Sequence, residues 1–429
     1  MSGSTKYNIK LSKSQIGLYA LPALPLSLPT LTLYINLPTW YHEQWGLPLG
    51  LIALIVFLAR VSDLVIDPFI GTINDRLSDK KQRAVIILGG LICIPSALLL
   101  IYPNEAFLVS SMILGLTGLF FGWTLIQIPY LSWLVRLSSD SQERIQIASL
   151  REFLGLIGLL FSALIPALMV YLGYSSTEAL RAVVWIALIL GTVTLTLLMS
   201  NIRLKKKPSP KQAESSWRPI KRNSLAKKLA FSWFFNGLAN GVPATLFPLY
   251  ITTVLLLPES DRTLYIAIYF LSCIVSIPIW IRLTRNVDRI HLWRSGMFIS
   301  AVVFVPASLL GGDSSWLFVP ICLLTGAMLA ADLAIPHAIQ ADVADYHQWR
   351  FGASQTNLLF ALWNMITKLA LALSASLAFG LLELFGQTPL ALALIYALIP
   401  SVFKIIAVLV VRNFKLSANV HKKIKQRIA

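Results

Sequence analysis

Long apolar runs recur along this chain, and each is long enough to cross a membrane. A helix needs about 20 apolar residues to span a hydrocarbon core of about 30 Å. Twelve stretches, numbered as helices 1 to 12, meet this requirement, at residues 15–40, 48–73, 84–102, 106–134, 148–172, 179–199, 229–255, 263–283, 295–311, 315–340, 355–383 and 388–411. With 56% hydrophobic residues, 13% charged residues and a mean hydropathy of +0.72, the chain is predicted to be an all-α polytopic membrane protein.

The basic residues are distributed unevenly between the two sides of this predicted bundle. The chain has 36 Lys and Arg residues against 19 Asp and Glu, a net charge of +17. Of the 36, 30 lie in the terminal segments, in alternate loops or at the helix ends beside them, whereas the other side offers only Arg181 and Arg262. This asymmetry predicts that both termini are cytoplasmic, and it explains the charge without a nucleic-acid partner.

The chain divides into two halves of six helices each. A polar stretch at 201–228, which contains Lys205, Lys206 and Lys207, predicts a basic cytoplasmic linker between bundles at 1–200 and 229–411, with a basic tail at 412–429. The loop after helix 2 reads Gly-x-x-x-Asp-Arg and is partly repeated after helix 8. Weak internal symmetry of this kind is typical of transporters that bind substrate near the midplane. The residues of this repeat are Gly71, Asp75, Arg76, Asp288 and Arg289.

Helix 2 carries three charges where a charge is energetically expensive. Arg60, Asp63 and Asp67 follow the spacing i, i+3 and i+7, so they lie on one helical face. Pro68 frees a carbonyl one turn earlier and could open the helix there. Sodium prefers oxygen ligands, whereas burial favours the protonated form of a carboxyl group, so either sodium or a proton could bind at Asp63 and Asp67.

The second half has intramembrane charges of its own. Asp332 lies in helix 10, Asp342 and Asp345 lie at its predicted cytoplasmic end, and Lys368 is a single basic residue within the apolar helix 11. A salt bridge from Lys368 to a carboxylate of the first half would couple the two bundles. Arg151 is predicted near the start of helix 5. It is either a charge inside the membrane or an interfacial anchor whose side chain extends to water.

Four motifs in order along the chain resemble those of the glycoside-pentoside-hexuronide cation symporters, the melibiose-permease-like branch of the major facilitator superfamily. They are Arg60-x-x-Asp63-x-x-x-Asp67-Pro68; Ile128-Pro129-Tyr130; Asp140-x-x-Glu143-Arg144 with Arg151; and Ala341-Asp342-x-x-Asp345-Tyr346 leading to Lys368. The resemblance spans nearly the whole chain. It implies the fold of that superfamily, two pseudo-symmetric bundles of six helices, and a symporter that works by alternating access.

The resemblance also assigns roles to individual residues. It implies Asp63 and Asp67 as ligands of the coupling cation, with Thr124 as a hydroxyl ligand. Lys368 and Arg151 match family residues of helices 11 and 5 in the substrate and coupling region. Two helix-7 asparagines, Asn236 and Asn240, match asparagines of the family. Their side chains could equally have a structural role and form hydrogen bonds between helices. Arg60 and Asp332 join this substrate and coupling set, and Asp75, Arg76, Asp342 and Asp345 are the predicted gating residues.

Three positions depart from the sugar-recognising members of the family. Ser27 and Gln127 stand where those members have acidic residues in helices 1 and 4, and Leu131 replaces a nearby aromatic residue. Both elements of sugar recognition, carboxylate and aromatic ring, are therefore missing at these positions. Four prolines, Pro22, Pro25, Pro29 and Pro38, also predict a bent, apolar helix 1. The substrate is expected to be a sugar, a glycoside-like solute or an amphipathic solute, and a lysolipid carrier of the same fold is the alternative.

Two other functional classes remain open. Asp63-x-x-x-Asp67 has the spacing of intramembrane transferases that bind Mg²⁺ against a diphosphate, although a second acidic cluster of that kind is missing. The second class is a sensor that has the transporter fold but does not transport a solute. The favoured prediction is a non-enzymatic symporter without a cofactor, a monomer in a bacterial plasma membrane whose partners are a small-molecule substrate and the lipid bilayer. Its coupling ion is sodium, at Asp63 and Asp67, or a proton.

Overall fold

The computed structural model describes residues 12–30, 37–138, 140–202, 204, 218–258, 261–352, 355–386, 388–416 and 418–428. Helices occupy the position of each of the twelve predicted segments. Within the described ranges, nine helices are long and apolar enough to cross a membrane by length and composition. The middle of the predicted linker, 205–217, lies outside the described residues.

The first half contains six helical regions. Helix 1 consists of separate pieces and helices 2 to 6 follow it; the bounds are Lys13–Ala20, Ala23–Ser27 and Leu37–Trp45 for helix 1, then Leu49–Arg76, Asp79–Ile101, Leu108–Leu137, Ser141–Tyr171 and Ser176–Asn201.

The second half begins after a short linker helix, Arg218–Arg222. Helices 7 to 12 are Ser224–Leu249, Asp261–Leu283, Arg289–Phe304, Phe318–Phe351, Thr356–Phe385 and Pro389–Val410. Helix 7 continues through one π-helical turn, Tyr250–Val254, and a tail helix follows helix 12 at Ala418–Ile428. The linker helix and the tail helix lie at the same membrane face, the terminal face.

Prolines act differently in helices 1 and 2. Helix 1 is interrupted by turns at 21–22 and 28–29, because Pro22 and Pro29 each remove an amide donor from the helical ladder. The predicted bend is therefore confirmed in the described part of helix 1. Helix 2, by contrast, runs without interruption through Pro68, so the expected opening of this helix is absent.

Two helices extend further than their hydropathy predicts. Helix 5 begins at Ser141, where the Asp140 side chain accepts from the amide of Gln142 and caps the helix. Arg151 therefore lies ten residues inside helix 5, buried at 5% exposure, and is not the interfacial anchor that the sequence allowed. Helix 10 continues to Phe351 and ends at Gly352, whose φ of 68° suits glycine.

The two halves approach most closely where helix 2 crosses helix 11. A Cβ atom on Gly71 would lie 2.5 Å from the Cβ of Ala361 and 3.0 Å from the Asn357 carbonyl oxygen. Any larger residue at 71 would push the helices apart. This crossing places the charged face of helix 2 directly against helix 11 of the other half.

Candidate functional site

The charged face of helix 2 meets a single lysine from the other half of the protein. Lys368 Nζ of helix 11 lies 2.6 Å from Asp63 Oδ2 and 2.9 Å from Asp67 Oδ2. Thr124 of helix 4 donates its hydroxyl hydrogen to this pair, with Oγ1 at 2.7 Å from Asp63 Oδ1 and 2.9 Å from Asp67 Oδ1. The structure therefore brings together the four residues predicted for the coupling site.

The contact among Asp63, Asp67 and Lys368 carries one more negative than positive charge. Two carboxylates face one ammonium group, and Asp67 is fully buried while the Lys368 side chain keeps 26% exposure. A buried, unbalanced carboxylate pair is unfavourable unless a cation or a proton joins it. The Lys368 ammonium also stands among the carboxylate and hydroxyl oxygens that a sodium ion would use, so lysine and cation would compete for the same ligands.

Three further predicted residues lie on helices 2, 4 and 1. Arg60, one turn before Asp63, places its guanidinium 5.7 Å from the ring centre of Phe120. Gln127 is half-buried, three residues after Thr124 on helix 4, and therefore on the same side of that helix. Ser27 faces helix 5, because a Cβ atom on Gly155 would lie 3.2 Å from its hydroxyl.

Aromatic rings from three helices of the second half cluster beside helix 5 of the first. The indoles of Trp233 and Trp363 stack at 4.3 Å, and the His337 ring lies 5.7 Å from that of Trp363. His337 also approaches Glu152, with Nδ1 at 3.8 Å from the carboxylate, and Glu152 pairs with Arg151. Aromatic faces beside an ion pair make a surface that can bind a polar ring.

The aromatic cluster is tied to the coupling site through helix 11. Trp233 donates its indole hydrogen to Thr367 Oγ1 at 2.7 Å, and Thr367 directly precedes Lys368. Trp363 lies one turn before Thr367 on the same helix, and its own buried indole nitrogen has no hydrogen-bond partner among the described residues. A ligand that moves either tryptophan would therefore act on the helix turn that carries Lys368.

A second intramembrane ion pair lies within the second half. Lys404 of helix 12 contacts Asp332 Oδ2 at 2.6 Å and donates to Asn236 Oδ1 at 2.8 Å. Trp293 donates to the other Asp332 oxygen at 2.8 Å, and Asn240 lies 3.5 Å from Asp332. The three predicted residues Asn236, Asn240 and Asp332 are thus brought together, apart from the coupling site.

Lys404 and Trp293 were not predicted from the sequence. Lys404 could have been found, because it is the only charged residue in the apolar run 388–411, the same signal that identified Lys368. Trp293 carries no such signal, since an indole is common in apolar helices. Its contact with Asp332 depends on the packing of helix 9 against helix 10.

The predicted gating residue Asp75 joins the two halves at the terminal face. Its Oδ1 accepts hydrogen bonds from the backbone and side-chain nitrogens of Asn357 at 2.8 and 2.9 Å, and Oδ2 accepts from the Leu358 amide at 2.9 Å. A carboxylate from the first half therefore caps the start of helix 11 in the second. Arg76 is exposed at the end of helix 2.

A second contact between the halves involves Asp342 and Asp345 of helix 10. Arg144 of helix 5, fully buried, places Nη1 at 3.0 Å from Asp342 and 2.8 Å from Asp345. Arg289, at the start of helix 9, pairs with the other oxygen of Asp342. The two Arg144 ion pairs hold the halves together at the terminal face, and Arg289 braces Asp342 from within the second half.

The tail helix adds two more basic side chains to this network. His421 Nε2 lies 2.9 Å from Asp345 Oδ2, and Lys425 Nζ lies 3.1 Å from both Asp345 oxygens. Burial and the neighbouring charge of Arg144 lower the pKa of Lys425. Asp342, Asp345 and His421 are close enough to hold a metal ion, but three cationic side chains already contact these carboxylates.

Comparison with known proteins places this architecture among transporters. The family model described as MFS/sugar transport protein matches residues 18–418. An uncharacterized symporter of Bacillus subtilis, YnaJ, is 25% identical over 409 residues, 87% of this chain and 85% of its own. The raffinose carrier protein of Pediococcus pentosaceus is 24% identical over 366 residues, which are 79% of this chain and 56% of the carrier.

A likeness in fold extends to solved structures. The crystal structure of the Escherichia coli fucose:proton symporter superposes with a TM-score of 0.71 over 94% of this chain and 98% of its own, at 13% identity. At this identity the likeness concerns the fold alone. It confirms the predicted twelve-helix architecture of two bundles.

Proposed function

The chain belongs to the MFS/sugar transport protein family, and from this premise we propose that it is a cation-coupled symporter which carries a sugar or a glycoside-like solute by alternating access. The supporting relatives include a symporter and a raffinose carrier. The observation that carries the proposal is the contact of Lys368 with Asp63, Asp67 and Thr124 between the two halves.

Coupling follows from competition for the helix-2 carboxylates. Without a coupling ion, Lys368 neutralises one of the two charges and holds helix 11 against helix 2. Sodium or a proton that binds Asp63 and Asp67 weakens this contact and frees the ammonium group. Because Lys368 is five residues from Trp363, its release changes the helix turn that bears the aromatic cluster. Ion and solute then strengthen each other's binding, since linkage is reciprocal.

The contacts at the terminal face indicate which stage of the transport cycle the structure represents. Asp75 caps helix 11, and Arg144 pairs with helix 10, and these contacts support a closed terminal face. With the termini cytoplasmic, as the distribution of basic residues favours, the closed face is the cytoplasmic one and the protein awaits solute from outside. The bacterial origin of the relatives supports a plasma-membrane location.

The aromatic cluster replaces what helices 1 and 4 lack for sugar recognition. Trp233 and Trp363 supply stacked aromatic faces, and Glu152 and Arg151 supply a carboxylate and a guanidinium within the same region. Sugar rings stack on aromatic faces while their hydroxyls bond such groups. This supports a sugar or glycoside, recognised mainly from helices 5, 7, 10 and 11.

A lysolipid carrier is the second candidate, because one cavity favours it. This cavity of about 380 Å³ within the first half is lined almost entirely by apolar side chains of helices 1, 3, 4 and 6, among them Pro25, Ile87, Trp123 and Leu188. An alkyl chain would fit such a lining. The cavity lies within one bundle and Lys368 does not line it, which makes it the weaker candidate for coupled transport.

The non-enzymatic nature of the protein is part of the same proposal. A magnesium-dependent transferase would need Asp63 and Asp67 free to bind the metal against a diphosphate. An ammonium group at 2.6 and 2.9 Å from these carboxylates opposes a divalent ion at the same place. Turnover of a diphosphate substrate would contradict this assignment.

Purified protein reconstituted into liposomes would test the proposed function. We expect an inward sodium or proton gradient to drive accumulation of raffinose or a related glycoside, whereas choline gradients do not. Equal uptake with and without either gradient would contradict coupling. Movement of lysophosphatidylcholine, in place of any sugar, would establish the lipid carrier.

Replacing Trp363 should weaken solute binding without removing ion binding. Because stacking on one aromatic residue contributes about 0.5–1.5 kcal/mol, we expect Trp363→Ala to raise the half-saturating solute concentration about threefold to tenfold. Trp363→Phe should recover most of the affinity. Trp316→Ala, just before helix 10 at 67% exposure, serves as the control and should leave uptake unchanged. An unchanged half-saturating concentration in Trp363→Ala would remove this residue from the substrate site.

A further inference from the structure

A polar cavity at the terminal face lies outside both the coupling site and the aromatic cluster. It measures about 560 Å³ and is lined by Ser224, Leu225, Lys228, Tyr346, Asn413 and Lys415. These residues come from the start of helix 7, the last turns of helix 10 and the segment after helix 12. The proposed transport mechanism uses none of them.

The positive charge around this cavity is high. Segments 218–228 and 412–427, which flank it, contain eleven Lys and Arg residues and no Asp or Glu. Lys228 and Lys415 reach the cavity itself, and Lys228 donates to the Asn413 carbonyl at 3.3 Å, which joins the two segments. An anion is the ligand that such a lining favours.

The start of helix 7 adds a second attraction for an anion. Helix 7 begins at Ser224, at the cavity wall, and its 26-residue length gives it a full helix dipole with the positive end here. In the described part of the chain the Asn223 side chain accepts from the Ala226 amide alone, which leaves other first-turn amides for a phosphate oxygen.

Below the cavity the surface becomes apolar within one helical turn. Phe231, three residues after Lys228, is 60% exposed, and Leu409, four residues before Asn413, is 58% exposed. Helices 7 and 12 run side by side here, since Ser232 donates to the Ala407 carbonyl at 3.0 Å. A basic cavity above exposed apolar side chains matches a molecule with an anionic head and alkyl chains.

We propose that this cavity binds the phosphate headgroup of an anionic phospholipid, with Lys228 and Lys415 on the phosphate and the acyl chains against Phe231 and Leu409. Tyr346 and Trp349, whose rings lie 6.0 Å apart, flank the site at the depth where aromatic residues meet lipid headgroups. Tyr346 directly follows Asp345, which binds Arg144 of the other half. Lipid at this site would therefore stabilise the closed terminal face.

Binding can be measured on purified protein in a neutral detergent by melting temperature. Titration with dioctanoyl phosphatidylglycerol should give a saturable rise that dioctanoyl phosphatidylcholine does not give. Because each basic residue near an anionic lipid contributes about 1 kcal/mol, Lys228→Gln with Lys415→Gln should weaken the affinity about 30-fold. Lys80→Gln with Lys81→Gln is the matched control, since these exposed lysines begin helix 3 at the same face. It should change the affinity less than threefold.

Each other outcome contradicts the proposal. Equal weakening in both double variants would show a general attraction of charges without a defined site. A rise of the same size with millimolar inorganic phosphate would assign the cavity to a free anion. Lys415 is exposed, so the single variant Lys415→Gln is the least prone to misfold. It should weaken phosphatidylglycerol binding about fivefold. An unchanged affinity would overturn the assignment.

Discussion

Asp67→Asn should abolish cation-driven accumulation of solute while leaving the protein folded. Asparagine keeps the shape of the side chain but removes one of the two charges that a coupling ion would neutralise. The remaining carboxylate, Asp63, still pairs with Lys368, so the contact between the halves persists. A charge-assisted interaction of about 1.5–3 kcal/mol is lost, which predicts a fall of about 10-fold to 100-fold in the affinity for the ion.

Two measurements check this prediction. Uptake driven by a sodium or proton gradient should fall to the background level in liposomes, and the rise in melting temperature with the coupling ion should disappear. Asp313→Asn, an exposed carboxylate in the short 3₁₀ helix before helix 10, removes the same charge and should behave as the wild type. Retention of full gradient-driven uptake by Asp67→Asn would exclude this carboxylate from coupling.

Lys368→Gln should make the stability of the protein depend on the coupling ion. Without the ammonium group, the buried carboxylates of Asp63 and Asp67 lose the cation that both contact in the structure. Breaking a buried ion pair from one side costs about 3–5 kcal/mol. We therefore expect the melting temperature to fall by several degrees in choline near neutral pH, and sodium or acid to restore most of it.

Lys404→Gln provides the matched comparison. It removes a buried lysine of the same kind, yet this lysine pairs with the single carboxylate of Asp332 inside one half. Its melting temperature should fall too, but sodium should not restore it, because one carboxylate does not form the oxygen cluster of helices 2 and 4. A Lys368→Gln protein as stable as the wild type in choline would contradict the competition between lysine and cation.

The sequence was sufficient to predict the helices and the central charges. Apolar length alone located all twelve helices, because the membrane forces each run to satisfy its backbone internally. The spacing of Asp63 and Asp67 predicted one shared face, and Lys368 stood out within helix 11. Helix ends were less predictable: helix 10 extends eleven residues past its predicted end at 340, since its polar residues there are held by ion pairs.

Contacts that depend on the arrangement of helices were beyond the sequence. Nothing in the order of residues shows that Trp233 stacks on Trp363, or that Glu152 faces His337. The basic tail at 412–429 was expected only as a charged segment. In the structure it forms a helix that places His421 and Lys425 on Asp345, a pairing set by tertiary packing.

The close contact at Gly71 is a pivot about which helix 2 can tilt against helix 11. Asp67 and Asp75 lie four residues on either side of it, about 6 Å each at a rise of 1.5 Å per residue, and both bind helix 11. A tilt of helix 2 by roughly 10° about Gly71 moves the two carboxylates about 1 Å in opposite directions. Relief of the contact at one arm would therefore press the other, so the terminal face would open only as helix 2 closes on helix 11 at Asp67, and the two contacts would not part together.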